Sequence, residues 1–597
     1  MSRPGQSSAV SQTALEAGAV ATPPRLSAEA MGRSGSSEAL AKLDAAVAEL
    51  RAIAIQPLLQ ASINALNSGD AQAGAEWAIK TLEKDERNGL AWYLLAFARE
   101  AAGDFVSSIR CYETALTLLP DHAEVANDLG RLAFRMGMIE QAEKLFRHFI
   151  DRHPFNPEGA NNLACAVRDM GRHDEAAAIL KDALLANPEV PMMWNTLGTV
   201  VTEQGEVHTA RVFFEEALRL DPAFAKARYN RGNTRLALGD VAGALEDCEA
   251  ALALKPPEGE RQMMQLARST ILIADGRLAD GWDAYEARLD PQFADVTQFM
   301  VDRPRWAPGD DLAGKSLLVI GEQGLGDEVL FANTLPDVIE ALGPDGRLSI
   351  AVEKRLVPLF QRSFPGARLG AHATFSAGGR SVRLTPSLED HADIDLWTPI
   401  GSLLREFRRS PEAYPLRARY LIPDPARVAH WRAELEQALD GPRVGLLWKS
   451  LIKAGARSRY FSPFEQWEPV LRTPGVCFVN LQYGDCAEEI AQAERELGVS
   501  IWTPPRIDLK ADLDDVAALT CALDLTIGFS NATLNLAGAC GAPTWLISTP
   551  GAWPRLGADR YLWYPQTRLY APSAFGEWAG VMQAVADDLD AFAAAEH

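Results

Sequence analysis

Residues 161–188 read NNLACAVRDMGRHDEAAAILKDALLANP. Gly171 divides two stretches of helical spacing, Ala183 stands twelve residues after it, and Pro188 closes the segment five residues later. The same punctuation recurs every 34 residues. Glycine stands at 69, 103, 137, 171, 205 and 239, followed from the second copy onward by Ala115, Phe149, Ala183, Ala217 and Ala251, then by Pro120, Pro154, Pro188, Pro222 and Pro256. A small-residue column runs Ser108, Ala142, Ala176, Ala210, Ala244, and a bulkier one runs Tyr112, Phe146, Leu180, Phe214, Cys248. Glycine ends a first helix in a sharp turn. Small residues let a second helix pack closely, and proline stops it. A fixed period of this kind predicts stacked helical hairpins that bury a core only by stacking.

On the N-terminal side of the repeats, residues 1–37 are rich in Ser, Gly, Ala and Pro and predict a disordered tail. On the other side the period fades between 257 and 310, although 274–289 still reads as a closing helical hairpin. At 316 the pattern changes. SLLVIGEQGLGDEVLFANTLPDVIEAL (316–342) predicts a buried strand, a Gly-rich turn and a helix, and 348–353 and 393–399 read as further strands. A second strand–helix series begins at PRVGLLWKS (442–450) and continues through 476–484, 499–505, 523–530 and 543–549. Two such series predict two doubly wound sheets, whose ligand sits at the carboxyl ends of the strands. The expected division is a tail over 1–37, a repeat domain over 38–290, and α/β halves over 291–425 and 426–597.

The chain has 597 residues, 47% hydrophobic and 23% charged, so most of it can bury a core. A net charge of -22 argues against a general binder of nucleic acid or of anionic membrane. No apolar run reaches the length of a membrane span, and the first residues lack the apolar segment of a secretory signal, so a cytoplasmic location is expected. The seven cysteines are scattered, which implies neither a disulfide framework nor a zinc site.

The periodic columns over about 55–260 resemble the tetratricopeptide repeat family. In that geometry one groove-facing column is Leu94, Asp128, Asn162, Thr196, Asn230, and its neighbour is Tyr93, Asn127, Asn161, Asn195, Tyr229. Asparagines both donate and accept, so Asn127, Asn161, Asn162, Asn195 and Asn230 suit the main chain of an extended acceptor peptide. They equally suit solvent or loop backbone. The motifs EQGLGDEVLFANTLP, GLLWKS and LDLTIGFSNATLNLAGACGAPTW resemble the two halves of GT-B glycosyltransferases of the heptosyltransferase-like and O-GlcNAc-transferase-like group. With the repeats, the pattern is most similar to bacterial enzymes that glycosylate flagellin in the cytoplasm. The resemblance implies a metal-independent, inverting transfer with no cofactor. It also implies a nucleotide-activated donor, a CMP-nonulosonate such as CMP-pseudaminic acid, and flagellin as the protein partner.

Glycosyl transfer to a hydroxyl needs a base, partners for the leaving phosphate, and an in-line approach. By the resemblance, Asp327 is the base; a Gly-Asp step before VLFAN is equally a helix cap. Glu322 and Glu328 are weaker candidates. Gly324 and Gly326 allow the turn to approach the sugar. Lys449 and Ser450 end the first strand of the second series, and Arg457 and Arg459 follow in a basic loop suited to an anionic donor. Ser530 and Asn531 open a helix where hydroxyl and N–H groups meet a phosphate. Related enzymes often carry Asp-Thr there and a histidine at the place of Asn535. Gln482, with Tyr483, ends another strand within reach of a nucleotide. Two alternatives stand beside the enzyme: a repeat-based scaffold or flagellin-binding adaptor with an inactive α/β half, and a heptosyltransferase-like enzyme acting on a saccharide.

Overall fold

A computed structural model describes residues 37–293, 295–377, 379–388, 391–449, 460–572 and 574–596. The expected tail lies, but for Ser37, outside the described residues. So do Ser450, Arg457 and Arg459.

The repeats fold as their spacing requires. Each repeat glycine takes a left-handed conformation, from φ 78° at Gly171 to φ 90° at Gly205. A Cβ at Gly69, Gly103, Gly137, Gly171 or Gly205 would meet nothing within 4 Å, so the backbone angle rather than crowding asks for glycine there. The following residue often caps the next helix: Asp70 Oδ1 accepts from Ala73 N at 2.9 Å and Asp240 Oδ1 from Gly243 N at 2.9 Å. The small-residue column is fully buried at Ala142, Ala176, Ala210 and Ala244, and Ser108 Oγ donates to Ala96 O at 2.8 Å.

The chain divides into two compact units, 2–200 and 201–597. The first is helical throughout its described residues, from Ser37–Asn67 onward. The second opens with the helices Val207–Leu220, Ala225–Ala237, Val241–Ala253, Glu258–Ala274 and Leu278–Tyr285, and continues as α/β structure. A four-stranded parallel sheet has the order Arg368–Ala371, Arg347–Val352, Ser316–Ile320, Leu396–Pro399. A six-stranded parallel sheet has the order Ile501–Trp502, Cys477–Asn480, Arg443–Leu447, Leu525–Phe529, Thr544–Ile547, Thr567–Tyr570. Ser316–Ile320 and Leu525–Phe529 are buried at every residue, as apolar runs covered on both faces should be.

A third sheet was not evident in the sequence: Thr297–Phe299 pairs with Arg380–Leu384, which pairs antiparallel with Ala373–Ala377. Its strands are short and largely exposed, so they lack the alternating pattern that announces a strand.

The helical period ends near 290, yet the core of the second unit runs through that point. Ile273, Leu278 and Trp282 share one buried cluster with Leu317, Phe331 and Trp563. The Trp282 ring stands edge-on to Phe331, Trp553 and Trp563 with centroids 6.4, 6.1 and 6.4 Å away. Two turn glycines of the helical part are docking points. A Cβ on Gly557 would meet Gly276 N at 2.5 Å, and one on Gly239 would meet Pro550 Cβ at 3.3 Å.

Candidate functional site

The strand Ser316–Ile320 ends at Gly321, and the turn that follows carries three acidic residues with three different fates. Glu322 is buried and takes both Arg288 Nε (2.9 Å) and Arg288 Nη2 (2.6 Å), with Gly401 N donating to Oε1 at 2.8 Å. It is a framework ion pair. Glu328 is also buried; its Oε2 accepts from Glu353 N at 2.8 Å, and its Oε1 stands 2.7 Å from His372 Nε2. The weak acid/base roles considered for these two give way to internal pairing. Asp327 is half-buried in the first turn of the helix Leu325–Phe331, and its Oδ2 accepts from Gly324 N at 3.0 Å. It therefore caps its helix and remains the one acid of the three that reaches the surface of the turn. Gln323 holds φ 61°, an uncommon backbone state for a residue with a side chain, at the tip of the same turn.

The second half of the site comes from the strand Leu525–Phe529. Ser530 is exposed at its carboxyl end, and Asn531 caps the helix Ala532–Ala539, its Oδ1 accepting from Leu534 N at 2.9 Å. The two turns meet. A Cβ on Gly326 would lie 3.2 Å from Asn535 Nδ2 and 3.6 Å from Ala532 N, so the two turns approach closely at this glycine. Tyr561 is buried, and burial pushes its phenol well up, with the Asp327 carboxylate adding to it. Asp327, Gly326, Ser530 and Asn531 are thus brought together.

Three donor-binding expectations need correction. Gln482 is buried; its Oε1 accepts from Trp448 N (3.1 Å) and Lys449 N (2.9 Å), and its Nε2 donates to Tyr483 O (3.1 Å). It ties the end of one strand to its neighbour and presents nothing to a ligand. Asn535 is buried beneath Gly326, donating to Gly326 O at 3.4 Å and accepting from the Tyr564 hydroxyl at 3.4 Å, which joins the two halves. Lys449 is half-buried and its ammonium pairs with Glu489, so it reaches an anion only by leaving that carboxylate.

The asparagine columns are corrected in part. Asn127, Asn161 and Asn195 are buried, and hydrogen bonds run from one repeat to the next. Asn162 Nδ2 donates to Asn127 Oδ1 at 3.2 Å, Thr196 Oγ1 to Asn161 Oδ1 at 2.5 Å, and Tyr93 OH to Asp128 Oδ2 at 2.5 Å. Much of the column holds the stack together, because a buried amide must find a partner. Asn162 and Asn230 are half-buried.

Above the carboxyl ends of Leu525–Phe529 and Thr544–Ile547 lies a cavity of about 490 Å³. Its walls include Tyr460, Ser530, Ser548, Thr549 and Trp553 from the α/β part, and Tyr229, Asn233 and Thr270 from the helical part. Sequence reading missed His372, Asn233, Tyr561, Ser548 and Thr549 as site residues. His372 and Glu328 are 44 residues apart in no motif, whereas Tyr229 already lay in a groove column. Among the described residues no group of three or more His, Cys, Asp or Glu could hold a metal ion, and no helix is long and apolar enough to cross a membrane.

The tetratricopeptide repeat family matches residues 99–164, 161–222 and 203–259. Protein FlbA of Caulobacter vibrioides is 53% identical over 589 residues, 99% of each chain. Among solved structures, a thermophilic tetratricopeptide repeat protein of Thermus thermophilus is 22% identical, covering 31% of this chain and 99% of its own, with a TM-score of 0.28. YrrB, described as a tetratricopeptide repeat protein with an unusual peptide-binding site, is 20% identical, covering 32% of this chain and 97% of its own, with a TM-score of 0.26.

Proposed function

The chain belongs to the family of the Caulobacter vibrioides protein FlbA, and we propose that it is a protein O-glycosyltransferase of GT-B type. Its repeats recruit a polypeptide acceptor, flagellin. Its α/β part transfers a sugar from a nucleotide donor, a CMP-linked nonulosonic acid, to Ser or Thr. Tetratricopeptide repeats are protein-binding modules, which supports a protein partner. One observation carries the catalytic reading: the turn of Asp327 and the helix start at Ser530–Asn531 converge across two parallel sheets, at the carboxyl ends of their strands.

In this reading Asp327 accepts the proton of the acceptor hydroxyl. The hydroxyl oxygen attacks the anomeric carbon, and the bond from that carbon to the phosphate oxygen breaks, so the nucleotide leaves with the electron pair. The N–H groups opening the helix Ala532–Ala539, with Ser530, take up the charge that develops on the phosphate. Gly326 keeps the two turns close enough for one substrate pair to span them.

The test is the intact mass of acceptor incubated with donor and either the wild-type chain or Asp327→Asn. The expected outcome is sugar addition with the first and a loss of about 100-fold or more with the second, while acceptor capture persists. Equal transfer by both would remove Asp327 from the chemistry. The scaffold alternative draws on the pairing of Lys449 with Glu489. It requires that CMP, UDP and GDP all leave the thermal midpoint unchanged.

A further inference from the structure

The cavity above the six-stranded sheet has two walls of different origin, and its lining limits what it can hold. None of the described residues that line it is charged. Tyr229, Tyr460 and Trp553 offer aromatic faces. Ser548 and Thr549, at the carboxyl end of Thr544–Ile547, are each only 8% exposed and line the cavity. Each carries a hydroxyl that can both donate to and accept from a group that enters the cavity. On the opposite wall the Tyr229 phenol, pushed up by burial, is hydrogen-bonded by the Asn233 side chain; both belong to the helix Ala225–Ala237. The wall is fixed in place by the loop after Thr549: a Cβ on Gly551 would collide with the Leu236 carbonyl oxygen.

We propose that this cavity is the nucleoside pocket of the donor, and that the last repeat helix, through Tyr229 and Asn233, forms half of it. The inference rests on the glycosyltransferase reading and adds a second task for the repeats, which then contribute to donor recognition as well as to acceptor capture. The chemistry favours the uncharged end of the donor. A base can stack on aromatic faces, and its polar edge and the ribose hydroxyls can pair with Asn233, Ser548 and Thr549. Among the described residues the phosphate finds no cation inside. It fits at the rim, where Ser530 leads into the start of the helix Ala532–Ala539. A polypeptide side chain is the competing occupant.

The experiment uses the full-length chain, with CMP, UDP and GDP titrated by calorimetry and acceptor capture measured in parallel. Asn233→Leu and Ser548→Ala are compared with wild type after their thermal midpoints are checked; Ser548→Ala removes one oxygen and leaves the packing intact. The expected result is that wild type binds one nucleotide and that each variant weakens it by roughly three- to tenfold or more, the effect of about one lost hydrogen bond. Acceptor capture stays unchanged. Wild-type nucleotide affinity in both variants overturns the inference while leaving the glycosyltransferase reading standing. Loss of acceptor capture with nucleotide affinity retained also overturns it, in favour of the polypeptide occupant. If the wild-type chain binds none of the three nucleotides, the glycosyltransferase reading fails first and this inference falls with it.

Discussion

Gly321 has no room for a side chain: a Cβ there would lie 2.5 Å from the Glu328 carboxylate, which faces His372. Its carbonyl also accepts from Arg383 Nη1 at 2.5 Å. Gly321→Ala must therefore displace a buried, paired carboxylate. A stability loss of about 1–3 kcal/mol is expected, read as a fall in Tm, together with loss of transfer because the Asp327 turn moves. An unchanged Tm would mean that the turn yields freely. Among single residues, the sequence was legible where a motif concentrated them. Gly326, Asp327, Ser530 and Asn531 all lie in two short stretches, and the structure brings them together. Gln482 and Asn535 sit in equally suggestive places, yet their amides are spent on the fold. Burial decides this, and burial is set by neighbours hundreds of residues away in sequence, as with Asn535 and Gly326.

The repeat helices were the most legible elements, because a 34-residue period constrains turn, packing and stop at once. The turn glycine is the most sensitive position. Gly137 holds φ 79°, and nothing lies within 4 Å of the place a Cβ would take, so Gly137→Ala is expected to cost about 1–2 kcal/mol through backbone conformation alone. Gly137→Asn should cost less, since asparagine tolerates this region. Thermal unfolding of the two variants checks the order; an equal or reversed order would place the cost in packing. Buried strands such as Ser316–Ile320 were legible as unbroken apolar runs. The strands 368–371, 373–377 and 567–570 were not, because short or exposed strands carry no strong period.

Across the molecule, the unit 201–597 joins the last helical hairpins to the α/β part through one core and a charged seam. In that seam burial alone would raise the Glu286 carboxyl, but the guanidiniums of Arg288 and Arg305 outweigh it and hold it down at about 2. A depressed carboxylate contributes stability above its ordinary value of about 4.3, and that contribution is lost as pH falls towards 2. The chain's Tm is therefore expected to drop over that window, and Glu286→Gln should flatten the drop while lowering Tm at neutral pH. A slope identical to wild type would remove Glu286 from the seam's energetics. This joining was not legible in the sequence, where the loss of period between 257 and 310 looked like a boundary. The contacts that cross it, Gly239 with Pro550 and Gly276 with Gly557, pair residues about 300 positions apart and leave no local pattern. Sugar transfer to a protein is the property on which the proposed roles of the repeats and of the α/β part both depend. Intact-mass spectrometry of flagellin produced with the wild-type chain or with Asp327→Asn measures it without intermediaries. A mass increase by whole nonulosonic acid residues is expected with the wild-type chain, and the unmodified mass with the variant. The same flagellin mass in both would contradict the assignment.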